Sequence, residues 1–375
     1  MSEGLPEADC APGATHPRDT QRLVGQDRAE AGFLEAINQD RAHHAWLITG
    51  PKGIGKATLA WRIARFLLAR EKAEDAGMFG APPPPETLDI SPDHPIARRI
   101  AAGAESRLFL LRRSYDEKAQ RFSADIRVDE ARKLKNFFAL SAADGGHRVV
   151  IVDAADEMNT NAANALLKVL EEPPEDTTLL LISHHPSGLL PTIRSRCRTL
   201  RCAPLGPAEM SEALRLADVE LPENPLALSE LSQGSVGAAI RLINLDGLAT
   251  YARLVQLVSK APGLERSTAI ALGESVAGRG KADHLALLIS LIELLLARAA
   301  RLGATGEAAP EAAPGEAAAL ARLSPTPVAA RRWADFQQVL SAKARHGIAV
   351  NLDPSALILD MILRIDETAS QIANS

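Results

Sequence analysis

A glycine-rich turn between a short apolar run and an amphipathic stretch sets the strongest constraint on how this chain folds. Ala45-Trp46-Leu47-Ile48-Thr49 is short and apolar enough for a buried strand. Gly50-Pro51-Lys52-Gly53-Ile54-Gly55-Lys56 follows directly, and Leu59, Ile63, Phe66 and Leu67 then recur at helical spacing. In this context backbone N–H groups curl around phosphate oxygens, and the helix N-terminus adds partial positive charge. Gly50, Gly53, Gly55 and Lys56 are therefore the candidate phosphate-binding residues. The residue after such a lysine normally supplies a hydroxyl to Mg²⁺. Here it is Ala57, and Thr58 lies about 100° further round the helix. The loop has the form of a phosphate loop, while its occupancy by ATP stays open.

Four further strand candidates, at 108–111, 148–152, 178–183 and 199–202, alternate with helical patterns at 26–39, 129–140 and 159–171. The alternation predicts βαβ units and a parallel sheet over 23–202. After Pro204 no comparable β-branched runs recur. Short helices are expected over 207–248 and longer ones over 285–301, 329–345 and 354–372. Residues 1–20, with Pro6, Pro12, Gly13 and Pro17, predict a disordered tail, and 76–95 a loop containing Pro82–Pro85. The stretch 303–327, rich in Ala, Glu, Pro and Gly, predicts a flexible loop. The expected organisation is a tail (1–20), an α/β domain (21–204), a small helical domain (205–275) and an all-α C-terminal domain (280–375).

The run Val149-Val150-Ile151-Val152-Asp153 is the clearest strand, and it ends in an acid placed to support Mg²⁺. A neighbouring carboxylate is needed to orient the attacking water, and Ala154 stands in its place. Asp153 reads either as a remnant of a catalytic carboxylate pair or as an ordinary strand end. Losing the metal hydroxyl weakens charge neutralisation at the phosphates, and losing the carboxylate leaves water unoriented. Together these losses should slow hydrolysis by several orders of magnitude.

Lys and Arg total 42 against 47 Asp and Glu, a net charge of −5, which argues against a chain that coats DNA by itself. Cys10, Cys197 and Cys202 form neither a disulfide framework nor a Cys-x-x-Cys metal module, as suits a reducing cytoplasm. The first twenty residues lack an apolar signal core. The most apolar helix candidate, 285–296, is too short to cross a bilayer. His43-His44 and His184-His185 should point apart, which argues against a metal site. The basic window 98–135, with Arg112, Arg113, Arg132, Lys133 and Lys135, reads as a solvated helix face or as a surface for DNA phosphates.

Two further motifs complete an ordered set. They are Asn164-Ala165-Leu166-Leu167-Lys168-Val169-Leu170-Glu171-Glu172-Pro173-Pro174 and Ser195-Arg196-Cys197. Together with Gly25-Gln26, the glycine turn and the acidic strand end, the chain resembles the AAA+ clamp-loader subunits of bacterial replicative DNA polymerase III. The resemblance implies an α/β AAA+ domain of the P-loop NTPase type, a helical lid and a helical collar that joins five subunits in a ring. It implies gamma/tau and delta subunits as partners, with the sliding clamp and primer-template DNA reached through the complex. It also implies a γ-phosphate-sensing arginine near the start of a lid helix, but Gly237 occupies that place within 234–239. Ala57, Ala154 and Gly237 favour a non-hydrolysing stator over the ATP-hydrolysing gamma/tau subunits. An active gamma/tau-like ATPase and a nucleotide-binding, non-hydrolysing regulator are the alternatives. By resemblance Arg196 acts in trans on the neighbouring subunit's ATP. By residue type alone it is one of several surface arginines, beside Arg194, Arg198 and Arg201. Cys197 reads as a packing residue. The four-cysteine zinc module frequent in these relatives has no counterpart in 57–152, so neither a metal nor a required cofactor is expected.

Overall fold

The computed structural model describes residues 7–8, 10, 13–39, 41–70, 83–118, 120–141 and 146–374. Its contacts divide the chain into two compact units, 1–219 with 234–237, and 220–233 with 238–375.

In the first unit, α1 (Asp27–Asn38) precedes β1 (Ala45–Thr49) and α2 (Lys56–Ala69). Then come α3 (Pro95–Ala101), β2 (Leu108–Arg112), a hairpin of β3 (Tyr115–Asp116) and β4 (Arg121–Phe122), and α4 (Val128–Ser141). The unit continues through β5 (Arg148–Asp153), α5 (Thr160–Glu171), β6 (Thr177–Ser183), α6 (Pro191–Arg194), β7 (Arg198–Arg201) and α7 (Pro207–Leu216). The five-stranded sheet has the order β2-β5-β6-β1-β7, and every pairing in it is parallel. This is the α/β AAA+ architecture of the P-loop NTPase type. Every residue of β1 and β6 is buried, because helices cover both faces of a parallel sheet and select continuous apolar runs. Thr49 pairs with Ser183 on one side and Arg201 on the other, so β1, β6 and β7 end together. Open α/β sheets hold ligands at such carboxyl-terminal strand ends. Helix α5 starts where the Asn159 side chain accepts the Ala162 N–H at 2.9 Å, and it stops before Pro173-Pro174.

Local features depart from the reading along the chain. The β3–β4 hairpin, with Tyr115 opposite Phe122, and the short α3 carry too few residues to show a periodicity. Residues 13–20 are seated rather than a loose tail. His16 is buried with its ring edge-on to Trp61, and the buried Arg65 donates to the carbonyls of Arg18 (2.6 Å) and Thr20 (2.7 Å). A buried guanidinium requires acceptors, and here the backbone supplies them. Residues 1–6, 9, 11 and 12 of the expected tail, and the expected loop as far as 82, lie outside the described residues.

The second unit is helical. It holds α8 (Pro225–Ser232), α9 (Val236–Asn244, from Ala238 on), α10 (Gly247–Val258) and α11 (Arg266–Ser275). It continues with α12 (Ala282–Thr305), α13 (Glu316–Leu323), α14 (Pro327–Ala349) and α15 (Pro354–Ala373). On the apolar stretch 285–296, Leu288, Ile289, Ile292 and Leu296 are buried and Leu285 is half-buried, and α12 packs chiefly against α14. Helix α11 packs on α15, where a Cβ at Gly273 would stand 2.9 Å from the Ser355 carbonyl oxygen. No described helix is long and apolar enough to cross a membrane.

The stretch 303–327 is not a structureless loop: α12 runs through Thr305, and α13 occupies its second half. Glu316 at the start of α13 is 1% exposed. Its carboxylate accepts from Tyr251 Oη (2.6 Å), Arg298 Nε (2.6 Å) and the Ala312 N–H (2.6 Å). Burial and the adjacent carboxylate push the Tyr251 hydroxyl pKa up. A buried charge is tolerable only when paired and hydrogen-bonded, and composition cannot reveal such a pairing.

Candidate functional site

The glycine turn adopts conformations that demand glycine. Gly50, Gly53 and Gly55 have φ of +142°, +79° and +97°. A Cβ at Gly50 would lie 2.6 Å from the Cys202 carbonyl oxygen. One at Gly53 would meet Ser235 Oγ and stand 3.2 Å from the Gly237 nitrogen. Lys56, the first residue of α2, is 3% exposed and folds back on the turn. Its Nζ donates to the Gly50 carbonyl at 2.7 Å and to the Pro51 carbonyl. Burial draws its pKa down to about 8, against the opposing pull of Cys202, Asp153 and Asp156.

Residues far along the chain close over this turn. The Gly237 N–H donates to the Gly53 carbonyl at 3.0 Å, and Ser235 Oγ donates to the Lys52 carbonyl at 2.9 Å. Gln26, 3% exposed, donates to the carbonyls of Ile54 (3.1 Å) and Ala203 (2.8 Å) and accepts the Ala203 N–H (3.0 Å). One side-chain amide thus joins the start of α1, the glycine turn and the exit from β7. Beside the turn an open depression of about 560 Å³ is lined by Thr49, Gly50, Lys52, His184, Arg201 and Cys202, among others.

At the neighbouring strand end, Asp153 closes β5 in register with Arg112 of β2. Ala154 is 2% exposed, so a methyl group fills the place where a carboxylate would orient water. Asp156 does other work. It accepts from Ser183 Oγ (2.7 Å) and from the backbone N–H groups of His184 and His185, tying the end of β5 to that of β6. Burial draws the His184 pKa down to about 4, with Lys56 and Lys52 acting in the same direction.

Ser195-Arg196-Cys197 forms the link between α6 and β7. Arg196 Nη1 donates to the Thr192 carbonyl at 3.0 Å, and Nη2 lies 2.8 Å from Glu171 Oε1 at the end of α5. The side chain is 36% exposed, and both partners lie outside the glycine turn. Cys197 packs against the core, and burial pushes its thiol up to about 12, as suits a packing residue. Arg198 differs from Arg196 in lying over the Trp46 ring, 5.2 Å from its centroid.

His43 and His44 do not point apart. Their rings stack at 4.4 Å, because His43 Nδ1 is held by its interaction with Ala45 while His44 Nε2 reaches the Leu170 carbonyl. Among the described residues no cluster of three His, Cys, Asp or Glu is placed to hold a metal. The basic window is largely neutralised within the unit. Arg112 pairs with Glu7, Arg113 with Glu157, Arg132 with Asp129 and Lys133 with Glu130.

Residues 25–206 match the family model described as DNA polymerase III, delta subunit. Residues 25–206 therefore belong to that family. The matched region runs from the first residue of the Gly25-Gln26 motif to just beyond β7. The chain is 41% identical over 216 residues to DNA polymerase III subunit delta' of Pseudomonas aeruginosa, covering 57% of this chain and 59% of that protein. It is 31% identical over 233 residues to the delta' subunit of Bacillus subtilis, covering 62% and 64%. A gamma/tau subunit of Mycobacterium tuberculosis is 30% identical over 182 residues, covering 48% of this chain and 28% of that protein. The chain thus spans about three fifths of the length of the delta' relatives it matches.

Gln26, Asp156 and Glu171 are the residues whose structural roles reading along the chain missed. Gln26 and Glu171 do fall inside recognised motifs, and that was the available signal. Their partners lie 177 and 25 residues away, beyond any local pattern.

Proposed function

We propose that the chain is a non-hydrolysing delta-prime subunit of the DNA polymerase III clamp loader, a stator that presents Arg196 to ATP on a neighbouring gamma/tau subunit. The observation that carries this reading is the state of the glycine turn. Lys56 is spent on the turn's own carbonyls, while Ala57, Ala154 and Gly237 lack the three groups that hydrolysis requires. Arg196, in contrast, is accessible and held at two points. A guanidinium carries five N–H donors and permanent charge, so its free N–H groups suit the charge developing on a transferring γ-phosphoryl group. In this reading 205–275 serves as the lid and 280–375 as a collar in a five-subunit ring with gamma/tau and delta. The ring opens the sliding clamp for primer-template DNA in the cytoplasm.

A second reading, a regulator that binds nucleotide without hydrolysing it, is favoured by the retained Lys56 and the three glycines at positive φ. Equilibrium binding of a fluorescent ATP analogue to the isolated chain separates the two. No saturable binding at millimolar analogue supports the stator. Tight binding without turnover favours the regulator, and steady turnover overturns both.

A further inference from the structure

We infer that Glu171 is the positioning residue for Arg196, holding the guanidinium in the orientation that reaches a neighbouring subunit's γ-phosphate. The inference rests on the trans-acting role proposed for Arg196. Glu171 Oε1 is 2.8 Å from Nη2, and the Thr192 carbonyl accepts from Nη1 at 3.0 Å. The two anchors come from different elements, the last residue of α5 and the second residue of α6. Among the described residues, each terminal nitrogen keeps one further N–H, and Nε–H makes no hydrogen bond. The group is therefore fixed at two points while three donors remain for phosphate oxygens.

Three further observations favour positioning over a purely stabilising ion pair. Glu171 lies in the last turn of α5, where the helix's partial negative charge disfavours a carboxylate. Both side chains are substantially exposed, at 36% for Arg196 and 49% for Glu171, so the pair adds little to folding stability. The helix that carries Glu171 is anchored in the core through Leu166 (0% exposed) and Leu170 (2%), which gives the carboxylate a rigid mounting. Glu172, next in the chain, makes no ion pair among the described residues and serves as a matched control.

The test is clamp- and DNA-stimulated ATP hydrolysis by rings assembled from this chain and its native partner subunits. Glu171→Ala, Glu171→Gln, Arg196→Ala, the Glu171→Ala/Arg196→Ala double variant and Glu172→Ala are compared at equal assembly. Glu171→Ala should lower kcat by up to on the order of 10-fold with KM for ATP unchanged, since a misaimed group weakens the transition state and not the bound substrate. Glu171→Gln, which keeps an acceptor, should recover part of the loss. Glu172→Ala should match wild type, and the double variant should be no slower than Arg196→Ala alone. A charge swap, Glu171→Arg with Arg196→Glu, should restore the pair without restoring the rate. Wild-type kcat in Glu171→Ala, a change confined to KM, or a further loss in the double variant would overturn the inference while leaving the trans arginine standing. If Arg196→Ala itself has no effect, the trans-arginine reading fails and this inference fails with it.

Discussion

The Gly237 N–H donates to the Gly53 carbonyl at 3.0 Å, seating the turn where a sensing arginine was expected directly on the phosphate loop. A Cβ at Gly237 would lie 3.2 Å from Gly53 Cα, tighter than ordinary van der Waals contact. The missing arginine is therefore also a missing space. The resemblance implies an arginine projecting from this position, whereas here backbone packs on backbone.

Restoring the three groups together should fail for that reason. A triple variant, Ala57→Ser, Ala154→Glu and Gly237→Arg, should still turn over ATP far more slowly than about 1 per second, the low end for ordinary enzymes. Crowding at Gly53 should lower its stability by about 1–3 kcal/mol. Phosphate-release assays and urea unfolding of the isolated chain check both outcomes.

Arg196→Ala should leave the chain folded, with stability changed by no more than about 1 kcal/mol, because it removes a solvent-exposed ion pair. In assembled rings it should reduce stimulated ATP hydrolysis. Arginines of this kind are worth on the order of 10³–10⁵ in rate at the site they serve. If the proposed ring holds, the fall across the whole assembly should be smaller, because arginines at its other interfaces would still serve their own sites. Arg196→Lys should rescue only in part, because an ammonium is a point charge and not a planar fork. Rates equal to wild type in both variants would return Arg196 to the class of surface arginines.

Gln26→Ala should destabilise the first unit by about 2–3 kcal/mol, since it strands the buried Ile54 carbonyl and removes two part-buried hydrogen bonds to the Ala203 backbone. Gln26→Glu should be at least as damaging, because it turns the donating end of the amide into a carboxylate that faces those carbonyls. Denaturant midpoints measured at a common m-value decide the point.

Acid should destabilise the protein over a defined window. Burial draws the pKa values of His147 and His184 down to about 4 from the usual 6.5. Between these values the unfolded chain binds protons that the folded chain refuses. The stability contributed by keeping the rings neutral is complete above pH 6.5 and is lost progressively as pH falls towards 4. Each histidine adds at most about 1.4 kcal/mol per pH unit to the slope. His147 makes a 2.9 Å hydrogen bond to Thr178 Oγ1, so His147→Gln should keep an amide partner there while flattening the dependence. An unchanged slope in that variant would show that His147 is not one of the groups responsible.

The glycine turn and the alanines at 57 and 154 were legible for the same reason: each is read from contiguous residues. Gly50 to Lys56 announces the turn, Ala57 and Ala154 announce the losses, and the buried strands show as unbroken apolar runs. Burial of Glu316 was hidden, because an Ala/Glu/Pro/Gly stretch looks solvated until Tyr251 and Arg298 are placed against it. The helical region shows the same limit. Helix α11 reads as part of a separate small domain, yet it packs on α15, about 90 residues further along.

The amino-acid sequence by itself determined the five strands of the parallel sheet, the longer helices between them, the glycine turn before α2 and the alanines at 57 and 154. These properties depend on side-chain periodicity and on residue identity at fixed neighbouring positions. Tertiary structure alone decided that Lys56 turns back on its own loop, that Gln26 bridges to Ala203, that Asp156 is spent on the end of β6 and that Glu171 holds Arg196. Each of these rests on a hydrogen bond or ion pair whose geometry is set by how strands and helices stack. No periodicity links partners 25 or 177 residues apart, so only the packed fold brings their polar atoms within bonding distance.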